Sequence, residues 1–204
     1  MTDSPSDFNR AILINGLDGC LDAVNYVIQN ALEGQFDESG DYAFLIELTF
    51  VFDHLFHTWH RREMSPKERL NESQEDFEEM TRTIVNWGGV FRLVEIKDIN
   101  RSPLFSICRT DDPWYAETSV AVLRRAEGIL QNMISSLEKG RTKALDLSGL
   151  KQDFASVLRN ICLAWHVRHC SPEEFTGLLR TKRETLETTI PKWDYRYRLV
   201  DAED

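Results

Sequence analysis

The chain has 204 residues, 42% of them hydrophobic and 28% charged, with a formal net charge of −10. That is chain enough for one large domain or two small ones around a buried core, which excludes a stapled miniprotein and a disordered tail. The acidic balance argues against broad binding to a phosphate backbone, which draws its affinity from a basic surface, so nucleic acid is not an expected partner.

The opening residues, MTDSPSDFNR, carry acids where a secretory or mitochondrial signal is basic, and residues 1–7 are expected to be flexible. A first helix is predicted from about Phe8 to Glu33, with Gly16 and Gly19 able to break it. A second, from about Asp41 to Arg62, places Phe44, Leu45, Leu48, Val51, Phe52, Leu55, Phe56 and Trp59 on one stripe at three- and four-residue steps. This most apolar stretch is interrupted by Glu47, Asp53, His54 and His57, so no membrane insertion is expected, and the protein is assigned to the cytoplasm.

A third helix opens at Ser65-Pro66-Lys67-Glu68, which offers an N-cap hydroxyl, a proline at N1 and a glutamate at N3. Gly88-Gly89 stops it after Trp87, and the extended arm VFRLVE follows. Residues 96–113 read as a linker. The pattern then returns: a helix from about Trp114 to Glu138, and a stripe of Leu147, Leu150, Phe154, Val157, Leu158, Ile161, Cys162 and Trp165. A third helix starts at Ser171-Pro172-Glu173-Glu174 and ends near Thr189 before Pro191, and the arm YRYRLVD follows. The two arms are expected to make at most one small two-stranded pairing. Residues 202–204 are expected to be flexible.

The return is a duplication. WHRREMSPKE (59–68) matches WHVRHCSPEE (165–174) at six of ten positions, and the same ungapped shift of 106 sets IVNWGGVFRLVE (84–95) on IPKWDYRYRLVD (190–201). A shift of 105 aligns NALEG (30–34) weakly with SSLEK (135–139), implying a one-residue difference in the following loop. The predicted fold is therefore all-α: two tandem three-helix modules, residues 8–95 and 114–201, packed with pseudo-twofold symmetry into a six-helix body with short extended arms.

The histidines lie on or just beyond the second helix of each module. Asp53, His57 and His60 fall within about 60° of one another on an outer stripe, roughly 110° to 170° from the buried face. Such a stripe could supply two or three ligands to zinc or iron. The second module does not repeat it, since Arg159 and Leu163 stand in place of Asp53 and His57. What both modules share is Trp-His-x-Arg, in Trp59, His60 and Arg62 and again in Trp165, His166 and Arg168. The structural reading has the indole anchoring a helix corner, with His and Arg satisfying terminal carbonyls. The functional reading has His60, Arg62, His166 and Arg168 converging on an anionic group, which requires the two corners to meet.

Arg159-Asn160 followed by His166 resembles the Arg-x4-6-His motif of HEPN ribonucleases, small helical bundles that work as dimers. That resemblance, over about eight residues, implies a phosphate-holding Arg159 and an acid/base His166. Asp53 replaces the arginine in the first module. No dinucleotide fingerprint, Walker loop, nucleophile elbow, H-E-x-x-H or Glu-x-x-His pair occurs, so no cofactor is expected. The four cysteines show no metal-finger or C-x-x-C spacing and suit reduced thiols.

Charge gives the remaining clue. Residues 1–106 hold 19 Asp and Glu against 9 Lys and Arg, and residues 107–204 hold 15 against 15. The third helix of the first module carries Glu72, Glu75, Asp76, Glu78 and Glu79, whereas Arg180, Lys182 and Arg183 stand in the second. This predicts a non-catalytic adaptor or inhibitor that binds a protein partner through the acidic first module. Opposite charges on equivalent helices also suit homo-oligomerisation.

Overall fold

The structure, a computed structural model, describes residues 7–62, 64–72, 91–95, 113–140, 147–167, 172–177 and 197–201. Its elements are α1 (Asp7–Leu32), α2 (Gln35–Arg61), α3 (Pro66–Leu70), β1 (Phe91–Glu95), α4 (Pro113–Glu138), α5 (Leu147–Val167), α6 (Pro172–Gly177) and β2 (Tyr197–Asp201). The described residues are predominantly helical, as an all-α chain requires. The linker, the ends of the third helices and the chain termini lie outside them.

Helix α1 runs unbroken through Gly16 and Gly19, contrary to the break the glycines allow. The reason is tertiary. A Cβ on Gly16 would lie 2.7 Å from Thr58 Cγ2 and 2.9 Å from Thr58 Cβ, and one on Gly19 would lie 3.0 Å from His54 Nδ1. The missing side chains let α2 close onto α1, which outweighs the propensity cost of about 1 kcal/mol each. Gly34, at φ 70°, takes the left-handed turn after α1, and α2 starts at once at Gln35 instead of near Asp41. Gly140, at φ 58°, makes the same turn after α4.

Four long helices form the core. Helix α1 packs on α2 and α4, and α5 packs on α4 and α2, which closes a ring with each helix antiparallel to its neighbours. On α1 the buried residues Leu13, Leu17, Cys20, Val24, Val27 and Ala31 follow alternating four- and three-residue steps. On α4 Ser119, Leu123, Ala126, Leu130, Met133 and Leu137 do the same. This a/d spacing is the seam that antiparallel bundle helices use.

Pairs such as Leu17 and Leu123 differ by 106 along both seams, as do Gly34 and Gly140. On α2 and α5 the buried sets Phe44, Leu48, Val51, Phe52, Leu55, Phe56, Trp59 and Leu150, Phe154, Val157, Leu158, Ile161, Cys162, Trp165 are likewise 106 apart throughout. The buried positions of the first helix thus keep the 106 offset and not the 105 of the weak alignment, which would set exposed Leu32 on buried Leu137, whereas 106 pairs Leu137 with buried Ala31.

Trp59 and Trp165 are both buried. The Trp59 ring meets Phe154 edge-on at 5.2 Å, in the first half of α5, and Trp165 stacks on Phe44 at 6.0 Å, in the first half of α2. Each indole near the end of one helix therefore packs on the first half of the other, which fixes α2 and α5 as antiparallel.

The arms pair as expected. Strands β1 and β2 are antiparallel with Leu93 opposite Leu199, Phe91 opposite Asp201 and Glu95 opposite Tyr197. The register is centred on a leucine pair 106 residues apart (199 − 93). At the α2–α3 corner the capping box also forms. Ser65 Oγ accepts from Glu68 N at 3.3 Å, and Ser65 N donates to Glu68 Oε2 at 2.7 Å. The Ser65 bonds hold the Glu68 carboxyl below the usual carboxylate range.

Two stability tests follow from this packing. Trp59→Ala and Trp165→Ala should each cost about 3–5 kcal/mol in denaturant unfolding, because each leaves a large void at a helix end. Gly16→Ala should cost about 1–3 kcal/mol despite the higher helix propensity of alanine, because Thr58 stands where the new methyl must go. A stabilised Gly16→Ala variant would contradict the close approach of α1 and α2.

Candidate functional site

The two Trp-His-x-Arg motifs end up apart. They close antiparallel helices, so one lies at each end of the bundle, separated along α2 by the 15 residues from Phe44 to Trp59, about 22 Å of helix rise. The described members of the two motifs, Arg62 and His166, are therefore not brought together. Arg168 and the His60 side chain lie outside the described residues. Arg62 turns back on its own corner: its guanidinium lies 3.8 Å from the Trp59 ring centroid and donates to Trp59 O at 2.6 Å. This is the carbonyl-satisfying role that the motif suggested.

His57 does not lie on an open outer stripe. It is 9% exposed, because Leu55, Phe56, His57, Thr58 and Trp59 are all buried, so that this turn of α2 is enclosed on every side. Asp53, one turn earlier, is half-buried. Among the described residues, no group of three or more His, Cys, Asp or Glu is placed to hold a metal ion.

The same enclosure affects the ribonuclease reading. Ile161 to Val167 are all buried, and His166 is 1% exposed. Arg159 shares a side of α5 with His166 but stands two turns away, roughly 10 Å along the axis. An acid/base histidine must reach the atom it protonates, and His166 is sealed from any backbone phosphate.

Both described thiols are equally sealed. Burial pushes Cys20 up to about 12, offset only slightly by Thr58, whose Oγ1 lies 3.9 Å from its sulfur. Cys162 is pushed higher by burial alone in the main. Neither supplies a thiolate at neutral pH, so neither serves as a nucleophile.

Glu72, counted with the acidic face, faces inward. Its side chain is 5% exposed and accepts from Arg61 Nε at 2.9 Å. Arg69 joins this corner by donating to the carbonyls of Arg61 and Met64. Glu75, Asp76, Glu78 and Glu79 lie outside the described residues.

The described part of the first module has a different open face. Tyr26 on α1 is 55% exposed, and Phe50 and Ile46 on α2 are 53% and 39% exposed. The contacts of Gly16 with Thr58 and Gly19 with His54 set the register of the two helices, and extending that register brings Tyr26 level with residues 47 and 48. On the helical wheel Tyr26 lies about 20° outward of Gly19, and Phe50 and Ile46 lie about 40° and 80° outward of His54. Tyr26 and Phe50 thus border the outer groove between α1 and α2, with Ile46 beyond Phe50 on the exposed back of α2.

Asp18 and Asp22 are exposed along α1, and Glu47 is half-buried between Ile46 and Phe50. Between Arg10 and Arg61 the chain has no Lys or Arg, against eight acids. Sequence reasoning missed this face because it looked for charge runs in the third helix. The cation-free span and the position of Ile46 and Phe50 outside the buried stripe were the signals available.

Helix α1, over Arg10–Leu32, is also the one described helix long and apolar enough to cross a membrane; here its apolar side packs on α2 and α4. Comparison of the chain with protein-family models, with curated proteins and with solved structures gave no match in any of the three.

Iodoacetamide at pH 8 should leave Cys20 and Cys162 unmodified in the native protein and alkylate both in guanidinium, as read by peptide mass spectrometry. Native labelling of either would contradict the burial that suppresses their thiolates.

Proposed function

We propose that this chain is a non-catalytic, cytoplasmic interaction protein of the adaptor or inhibitor type, which binds a protein partner through the acidic surface of its first module. The observation that carries the reading is an asymmetry between the two helical hairpins. The first exposes Tyr26, Ile46 and Phe50 in a span without a single Lys or Arg. Among the described residues of α4 and α5 no large hydrophobic side chain is exposed, and Arg124 and Arg125 stand on the outer face of α4. Clustered exposed aromatics are rare on a surface that only meets water, and they are frequent at protein interfaces. The two free, buried cysteines suit a reducing compartment.

The fold reading that goes with this function is a tandem duplication with pseudo-twofold symmetry. The constant offset of 106 through the buried positions, the paired left-handed glycines and the leucine-centred ribbon support it. In such a protein the interiors are held alike by packing, while the outsides are free to diverge, so one module can acquire a binding face that the other lacks.

A benzophenone side chain placed at Tyr26 or Phe50, and for comparison at Gln131 or Gln152 on the second hairpin, tests the reading in cells. Ultraviolet adducts with another protein should form from the first pair and not from the second. Adducts from none of the four positions, or equally from both hairpins, would overturn it.

A further inference from the structure

The chemistry of the first hairpin's outer groove specifies what can lie in it. Two antiparallel helices in contact leave a shallow furrow whose width suits the ridge of a third helix, at interaxial distances of about 8–10 Å. The furrow presents an apolar centre: Phe50 stands between the levels of Asp22 and Tyr26, with Ile46 one turn along α2. Around that centre the charge is of one sign. On the wheel Asp22 lies about 60° outward of Gly19, Asp18 about 100° outward and a turn earlier on the exposed side of α1, and Glu47 is half-buried on α2 beside the contact with α1; among the described residues no ion pair engages any of the three.

We propose that this groove receives a basic amphipathic helix of the protein partner, with Phe50 as its central apolar anchor and Asp18, Asp22 and Glu47 facing lysines or arginines on the helix flanks. The proposal rests on the protein-binding reading and gives the partner its chemistry. Helix-in-groove recognition reads apolar residues at i, i+3 or i+4 and i+7, which matches the single-turn spacing of Ile46 and Phe50. A buried aromatic contact supplies affinity, and rim charges of opposite sign supply selection and speed of encounter.

Other occupants fit less well. A second copy placed symmetrically on the same groove would set Asp18, Asp22 and Glu47 against themselves. A second copy offering its other hairpin would bring Arg124 and Arg125, but no large apolar side chain of the described α4 and α5 is exposed to meet Phe50. Anionic lipid and nucleic acid are both repelled by a face without cations.

The test is titration of the full-length protein with a fluorescent 18-residue peptide of leucine and lysine, its leucines at i, i+3 or i+4 and i+7. It should bind saturably, and a glutamate-for-lysine version of the same pattern should not. Phe50→Ala, at an exposed position where folding is retained by circular dichroism, should weaken binding at least about tenfold. Asp18→Lys with Asp22→Lys should weaken it and flatten its salt dependence. The leucine–lysine peptide should also suppress the adduct formed by benzophenone at Phe50.

Binding insensitive to Phe50→Ala would reduce the interaction to charge alone and overturn the proposal. So would a concentration-dependent dimer of the protein by itself that Phe50→Ala dissociates, which would give the groove to a second copy. A partner adduct at Phe50 that the peptide neither suppresses nor competes with would overturn the basic helix while leaving the protein-binding function standing.

Discussion

The reciprocal plugging of Trp59 onto Phe154 and Trp165 onto Phe44 governs the arrangement of everything else. Each contact joins the end of one helix to the first half of the other, so α2 and α5 can only be antiparallel. Once they are, α1 and α4, which pack on α2 and α5 and on each other, also face one another head to tail. Their four-three seams then meet, and the ring of four helices closes. Large aromatic rings suit this task because a single one fills a helix-end gap that several aliphatic side chains would fill with less definition.

The same constraint separates the chemistry-bearing motifs. Two copies of Trp-His-x-Arg look like the halves of one site when read in line. An antiparallel pair sends them to opposite poles, where Arg62 is spent on the carbonyl and ring of its own corner. His57 and His166 lie in turns buried all round beside Trp59 and Trp165, so both are interior groups. What is left open is the outside of the helices, and there the first hairpin differs from the second in both charge and exposed apolar surface.

Much of the fold was legible. The stripes on α2 and α5, the Ser65-Pro66 helix start and the pairing of the two arms all follow from local rules that tertiary structure did not override. The unbroken α1 was not legible, because the glycines that weaken it as an isolated helix are required by contacts with Thr58 and His54, 42 and 35 residues away in the chain (58 − 16, 54 − 19). The enclosure of His57 was missed for a related reason. A helical wheel assumes one buried face, whereas residues 55–59 of α2 and 161–167 of α5 are buried all round. Glu72 was read as surface charge because four more acids follow it by position 79, whereas its partner Arg61 is across the corner. The exposed groove was the hardest to read, since exposure of Phe50 is defined only by what does not cover it.

The ribbon of β1 and β2 has a kinetic consequence. Its paired residues are 102 to 110 positions apart (197 − 95, 201 − 91), the most distant contacts in the described chain to be sealed by backbone hydrogen bonds. Closing so long a loop for five residues of pairing is entropically costly, so the strands gain from meeting only after the helices have already drawn their ends together. The ribbon thus closes the longest loop of the described chain with only five residues of pairing.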